Sequence, residues 1–162
     1  KGPLGTSAKA TAVTRKAFGS ANIIDGYLLE KASNLQLQKA SIAFKQAMLN
    51  SMEDKKMLTD EIVLVDGLVR TLDLDLRITL DRRFQNVEDS IKNKIGTIVT
   101  NYFNVDNRDF GESFFPTDIA REVFSNVPEV RIAEVTNYKD TLNLEINEIL
   151  QLNNFSLNFN YV

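Results

Sequence analysis

The chain has 162 residues, of which 43% are hydrophobic and 25% are charged, and its formal net charge is −3. This balance is ordinary for a globular protein and argues against intrinsic disorder, while the acidic charge disfavours a nucleic-acid partner, which needs a concentrated basic face. The chain contains no Cys and no His, which excludes disulfides, thiolate metal sites, cysteine nucleophiles and the commonest general base.

The first residues give little structural signal. Residues 1–20 are rich in Gly, Ala, Ser, Thr and Lys and lack periodicity, so we expect a loop or tail there. Residues 1–6 fit either a vector remnant or the interior of a longer protein, and they contain neither an initiator Met nor a signal-peptide core. We therefore interpret the chain as a fragment excised from a larger protein.

Residues 21–67 predict a first subdomain with the order β-α-β. Its opening strand, residues 23–30, is apolar on nearly both faces and is expected in the interior of a sheet. A polar connection over residues 31–39 then leads to a helix that Ser41 can cap.

Two further strands follow that helix. Residues 62–65 form a short apolar strand, and the Asp66-Gly67 dipeptide after it is a strong turn signal. Residues 72–80 alternate without a break between apolar and polar side chains, which is typical of a half-buried strand. The apolar positions of this strand are Leu72, Leu74, Leu76, Ile78 and Leu80.

Beyond residue 83 the period of the apolar residues changes from two to between three and four. This spacing predicts an amphipathic helix of about 18 residues, with Asn86 as its N-cap. Gly96 lies in mid-helix, which indicates a close backbone approach on that face. The predicted apolar stripe consists of Phe84, Val87, Ile91, Ile95, Ile98, Val99, Tyr102 and Phe103.

The last third of the chain predicts a short helix and several strands. Thr117 is the expected N-cap of a helix that stops near Asn126, because Pro128 cannot continue it. Residues 130–135 form the next predicted strand.

An alternating pattern then occupies the rest of the chain, but its phase changes once. One alternating phase is held by Leu142, Leu144, Ile146, Leu150 and Leu152, with an interruption at Glu148, and the other by Phe155, Leu157, Phe159 and Tyr161. Such a shift requires a turn or a bulge, and Asn153-Asn154 favours a two-residue hairpin because Asn tolerates positive φ.

These elements predict an α+β fold made of two successive small helix-on-sheet sandwiches with mixed, largely antiparallel sheets. The expected division is a loop or tail over residues 1–20, a β-α-β subdomain over residues 21–67 and a β-α-α-β-β-β subdomain over residues 68–162.

The sequence offers few candidates for chemistry. Asp73, Asp75 and Asp81 suggest acid–base work or cation binding, but a solvated sheet face with Arg77 compensating the acids is the simpler interpretation. Residues 104–112 resemble a calcium loop only superficially, since the EF-hand positions fail in either register. No apolar run approaches the roughly 18 residues of a membrane-spanning helix. We therefore expect no enzyme, no metal, no cofactor and no small-molecule substrate.

Several short segments carry a family resemblance through their order and spacing. Together they resemble the baseplate J-like family over roughly residues 22–161, with Ala40-Ser41 opening the first helix. The segments are IIDGYLLEK (23–31), KMLTDEIVLV (56–65), LDLDLRITL (72–80), VTNYF (99–103), FFPTDI (114–119) and NVPEV (126–130).

The resemblance implies a structural role rather than catalysis. It implies the C-terminal part of a contractile-tail phage baseplate wedge subunit of the T-even type, which joins other wedge subunits in a ring around the tail hub. The expected partners are those subunits and further copies of the chain, as a dimer or ring, with no nucleic acid or membrane. The expected location is the virion tail baseplate, after assembly in the host cytoplasm.

Two other functions remain open from the sequence: a tail-associated carbohydrate- or receptor-binding module, and a small hydrolase that uses carboxylates alone. For the structural role, the candidate interface is the aromatic-rich end, Phe155, Phe159 and Tyr161, together with the exposed edge of the last hairpin. The alternative for these three aromatic residues is simple core packing, which the usual preference of Phe for interiors favours.

Overall fold

The computed structural model describes residues 8–16, 22–32, 36–53, 55 and 60–162. Its fold is α+β, with helices packed on mixed and antiparallel sheets, as the sequence predicted. The chain forms two compact units. The first contains the described residues up to Val69 with Asp109–Gly111 and Glu145–Ile149, and the second contains Arg70–Arg108, Glu112–Leu144 and Leu150–Val162.

The first unit therefore includes two short segments that the sequence alone groups with residues 68–162. Backbone hydrogen bonds hold them there: the Leu68 amide donates to the Asn147 carbonyl, and the Gly111 amide donates to the Glu148 carbonyl. These partners are distant in sequence, and no local pattern indicates them.

A four-stranded mixed sheet forms the first unit, with its second strand at the centre. That strand, β2, pairs antiparallel with β1 and β3 and parallel with β4. The elements are β1 (Ala8–Lys16), β2 (Asn22–Lys31), β3 (Leu37–Lys39), α1 (Ile42–Glu53) and β4 (Asp60–Asp66).

Two sequence predictions for this unit are wrong. Residues 8–16, expected in a loop or tail, form β1, and the polar connection over residues 31–39 contains the short strand β3. In both cases pairing with β2 determines a conformation for which the local sequence gives only a weak preference. The other residues of the range 1–20 lie outside the described residues.

The predicted first helix and its cap are confirmed. The Phe44 amide donates to Ser41 Oγ over 3.2 Å, which satisfies one of the free N–H groups at the start of α1. Phe44 is buried with Leu28 of β2 and Ala40, and Met48 packs against them. This small cluster is the core of the first unit.

The second unit has a three-stranded sheet with the strand order β6 (Val130–Val135), β5 (Leu68–Leu80), β7 (Glu148–Tyr161). β5 and β6 are antiparallel. Val162 donates to the Leu80 carbonyl and accepts from the Arg82 amide, which is the hydrogen-bond pattern of parallel strands for β5 and β7. The elements are β5 (Leu68–Leu80), α2 (Glu88–Tyr102), α3 (Pro116–Asn126), β6 (Val130–Val135) and β7 (Glu148–Tyr161), with 3-10 helices at Arg82–Val87 and Val105–Asn107.

The core of this unit confirms the predicted alternation in β5 and the predicted stripe except at Val87, which lies in the 3-10 helix before α2 and is 45% exposed. All five apolar side chains from Leu72 to Leu80 are buried, with relative exposures of 0–1%. They form one cluster with residues of both helices and the neighbouring strands. From the helices the cluster takes Ile91, Ile95, Val99, Ile119 and Val123.

Both predicted N-caps of the second unit are wrong. The first helical turn after β5 is a 3-10 helix, and Asp81 caps it by accepting from the Arg83 amide at 3.2 Å. α2 starts after it at Glu88, so Asn86 is not its cap. α3 starts at Pro116 and not after Thr117, because a proline lacks the N–H that goes unpaired at the first helical position.

The predicted hairpin at Asn153-Asn154 is also wrong, because β7 runs through both residues as one strand. Both side-chain amides donate to the same Oδ1 of Asp73, at 2.8 and 3.0 Å. Two residues of one strand opposite one residue of its neighbour is the signature of a bulge, the alternative that the phase shift left open. Leu142, at the start of the predicted alternating pattern, does not belong to β7 and forms an isolated bridge with Phe114.

Two glycines give opposite expectations for substitution by alanine. A Cβ on Gly67 would lie 2.6 Å from the Phe110 ring and 3.1 Å from Leu29 Cγ, whereas a Cβ on Gly96 would meet nothing within 4 Å. The close approach predicted at Gly96 is therefore wrong, and the close approach is at Gly67.

We expect Gly67→Ala to lower the free energy of unfolding by about 1–3 kcal/mol through overpacking. Gly96→Ala serves as the matched control and should raise it by up to about 1 kcal/mol through helix propensity. Urea unfolding followed by circular dichroism measures both. Equal effects of the two substitutions would contradict the packing around Gly67.

Candidate functional site

The two most tempting carboxylates, Asp73 and Asp75, lie on the polar face of β5, where neutral donors surround them. Asp73 accepts from Asn153 and Asn154, and Asp75 accepts from Ser156 Oγ. The two acids belong to a hydrogen-bonded network that links β5 to β7.

Asn137, which follows β6, extends this network to the third strand. Its Nδ2 donates to the Asp73 carbonyl at 2.7 Å, and its Oδ1 accepts from the Asp75 amide at 3.1 Å. Arg77 does not compensate these acids, as the sequence suggested, but lies 3.6 Å from Glu134. The polar face of the sheet therefore holds its acids with amides and a hydroxyl, and its arginine pairs elsewhere.

Asp81 has a different environment from the other two acids. It accepts from the Arg83 amide and from the Arg131 guanidinium, at 3.2 and 3.1 Å. These hydrogen bonds, with the backbone N–H of Arg83 as the largest cause, hold the pKa of Asp81 below its ordinary value. Its chemistry is that of a helix cap.

Among the described residues, no group of three or more His, Cys, Asp or Glu side chains could hold a metal ion. The segment that superficially resembled a calcium loop has its own hydrogen bonds. Asn104 Oδ1 accepts from the Asp106 amide at 2.9 Å and caps the 3-10 helix there, and Asn107 Nδ2 donates to the Asn101 carbonyl at 2.8 Å. This segment anchors the end of α2.

The same segment contributes a buried cation that sequence reasoning missed. Arg108 is 3% exposed, and its guanidinium donates to the Glu112 carboxylate at 3.1 Å and to the Glu112 and Ser113 carbonyls. Its Cζ lies 5.4 Å from the centroid of the Tyr102 ring. The i,i+4 spacing to Glu112 is the only sequence signal for this arrangement, and it is weak outside a helix.

Arg108 lies at one side of an open cleft of about 740 Å³ between α2 and α3. Burial is the main cause that raises the pKa of Tyr102 above its ordinary value. Lys94 also lines the cleft, and its Nζ donates to Glu129 Oε1 at 2.8 Å. This hydrogen bond is the main cause that lowers the pKa of Glu129. The lining residues are Lys94, Thr97, Ile98, Asn101, Tyr102, Asn107, Arg108, Glu112, Asp118, Glu122 and Asn126.

The three aromatic interface candidates all lie on β7. Phe155, Phe159 and Tyr161 are partly buried and pack against the core of the second unit, and the Tyr161 hydroxyl donates to the Glu88 carboxylate. The structure thus places them where the core alternative expected them. Their role in an interface remains a prediction.

The backbone of β7 offers a clearer surface than these side chains. β7 pairs with β5 and forms one edge of the sheet, and β6 forms the other. Between Ile149 and Val162 the sequence contains no charged side chain and no proline. Natural edge strands are usually guarded by such residues, so β7 is an unguarded edge.

Comparison with known proteins does not add an identity to this geometry. No protein-family model matches the chain, and no curated protein matches it.

None of the helices in the described residues is both long and apolar enough to cross a bilayer.

The burial of Arg108 makes a testable distinction between two arginines. We expect Arg108→Met to lower the free energy of unfolding by about 1.5–3 kcal/mol, because it removes a buried cation that donates to the Glu112 carboxylate and to the part-buried Glu112 and Ser113 carbonyls. Arg121 pairs with Asp118 at the surface, where its side chain is 73% exposed, so Arg121→Met should have little effect. Urea unfolding measures the difference, and a similar loss in both variants would refute the role of Arg108.

Proposed function

We propose that this chain is a structural assembly module, the C-terminal part of a contractile-tail baseplate wedge subunit. In this role it works through protein–protein association into a ring around the tail hub of the virion, and it performs no catalysis. The resemblance of its ordered segments to the baseplate J-like family supports the proposal. The observation that carries it is the unguarded edge of β7.

An edge strand leaves the backbone groups along its outer side unpaired. A strand with a free row of N–H and C=O groups is a template for another strand. The second unit keeps Arg131 and Glu134 exposed on β6, its other edge, whereas β7 exposes only neutral polar side chains. The difference between the two edges favours β7 as a surface for assembly.

The acids on the polar face of β5 also support an architectural role, because they hold β7 in place. Asp73 and Asp75 accept from the amides and the hydroxyl that fix β7 beside β5. Carboxylates engaged in this way hold the edge strand in position.

The cleft between α2 and α3 favours a second candidate function, a tail-associated carbohydrate- or receptor-binding module. Its lining contains the amides of Asn101, Asn107 and Asn126 and the ring of Tyr102, which are groups that recognise sugars. However, the Arg108 guanidinium lies over the face of the Tyr102 ring, so this ring is not free to stack on a sugar. We therefore rank this candidate second.

Co-expression with other subunits of a contractile-tail baseplate tests the proposal. We expect the chain to purify with at least one of them as a complex of defined mass, measured by size-exclusion chromatography with light scattering. A chain that joins none of these proteins would refute the assembly role. If it instead bound saccharides in calorimetry, and Asn101→Ala weakened that binding, the second candidate would replace the first.

A further inference from the structure

We infer that the outer edge of β7 pairs with the outer edge of β7 in a second copy of this chain. The two strands run antiparallel about a two-fold axis, so that two three-stranded sheets become one continuous sheet. This inference rests on the proposed assembly function and names one of its contacts.

The hydrogen bonds of Val162 decide which residues of β7 face outward. Val162 directs both its N–H and its C=O toward the β5 side of the sheet: it donates to the Leu80 carbonyl at the end of β5 and accepts from the Arg82 amide just beyond it. Because these groups alternate sides along a strand, the even-numbered residues after the bulge face β5. The odd-numbered residues direct their backbone groups away from the sheet, and within the described part of the chain no other strand pairs with them. They are Phe155, Leu157, Phe159 and Tyr161.

The outward direction of the odd-numbered residues fixes the register of a symmetric pair of β7 strands. An antiparallel pair exchanges two hydrogen bonds between outward-facing residues that lie opposite each other. A two-fold axis at Asn158 sets Phe155 opposite the partner's Tyr161 and Leu157 opposite the partner's Phe159. Each pair occurs twice, so the interface contains about eight backbone hydrogen bonds. The bulge at Asn153-Asn154 ends the pairing at its other side.

The side chains match in this register as well. On the face that packs against the core, one pair is aromatic–aromatic and the other is aliphatic–aromatic, and both are favourable cross-strand pairs. On the exposed face, Ser156 lies opposite the partner's Asn160, and Asn158 lies opposite the partner's Asn158. Every polar residue in the pair meets another neutral hydrogen-bonding group.

Charge explains why a second copy fits this edge. With no charged side chain from Ile149 to Val162, two copies of β7 meet without placing like charges opposite each other. The same two-fold pairing of β6 would set exposed Arg131 and Glu134 at its edge, where charges oppose pairing. Two-fold symmetry is also the commonest arrangement of identical subunits.

Sedimentation velocity of the isolated chain over a wide micromolar range tests the pairing. We expect a monomer–dimer equilibrium in the unmodified protein. Asn158 is exposed, and Asn158→Lys sets two lysines opposite each other on the axis, so this variant should dimerise at least about tenfold more weakly. Ile132→Lys, at a 58% exposed position of β6, is the matched control and should leave the dimer unchanged.

A charge exchange at the axis identifies the register. Asn158→Lys and Asn158→Asp should each dimerise at least about tenfold more weakly than the unmodified chain, with an unchanged circular dichroism spectrum, and an equimolar mixture should restore the affinity of the dimer. An unmodified chain that stays monomeric, or a dimer insensitive to Asn158→Lys, overturns the inference.

The two proposals fail in different ways. A monomer that still joins a complex with tail proteins overturns the β7 pairing and supports the assembly function. A dimer that joins no tail protein supports the pairing and overturns the assembly function.

Discussion

The second unit depends on the strict alternation of β5, which lies at the centre of its sheet. Every second side chain from Leu72 to Leu80 enters the core beneath α2 and α3, and the residues between them face the other side. A one-residue slip of this strand would exchange its two faces and expose the whole apolar set. Burial of one face therefore fixes the register, and with it the position of Asp73 and Asp75 on the polar face.

From this fixed register follow the properties of the neighbouring edge. Asp73 accepts hydrogen bonds from two successive asparagines of β7. The additional residue in β7 changes which of the following residues, odd-numbered or even-numbered, direct their backbone groups toward β5. After this bulge, the backbone N–H and C=O groups of the aromatic residues point outward from the sheet. The side chains of the same residues cover the core. In the proposed pairing, stability and association use different groups of the same residues, so the partial burial of these aromatic residues is compatible with an interface.

Much of the fold could be predicted from periodicity, because β5 and α2 each bury one regular face. β1 and β3 could not, since only pairing with β2 orders their weakly patterned sequences. The hairpin at Asn153-Asn154 failed for a related reason: a turn and a bulge give the same phase shift, and only the long-range partner Asp73 separates them. Arg108 was missed because its burial depends on Tyr102 and on loop carbonyls that no spacing rule connects.

Site-resolved amide hydrogen exchange tests the central role of β5 most directly. From Leu76 to Leu80, β5 has a strand on both edges and the core on one face, so the amides of this segment should exchange only through global unfolding. Their exchange free energies should then equal the free energy of unfolding of the second unit. Exchange of these amides as fast as that of the helix ends, through local opening, would contradict the account.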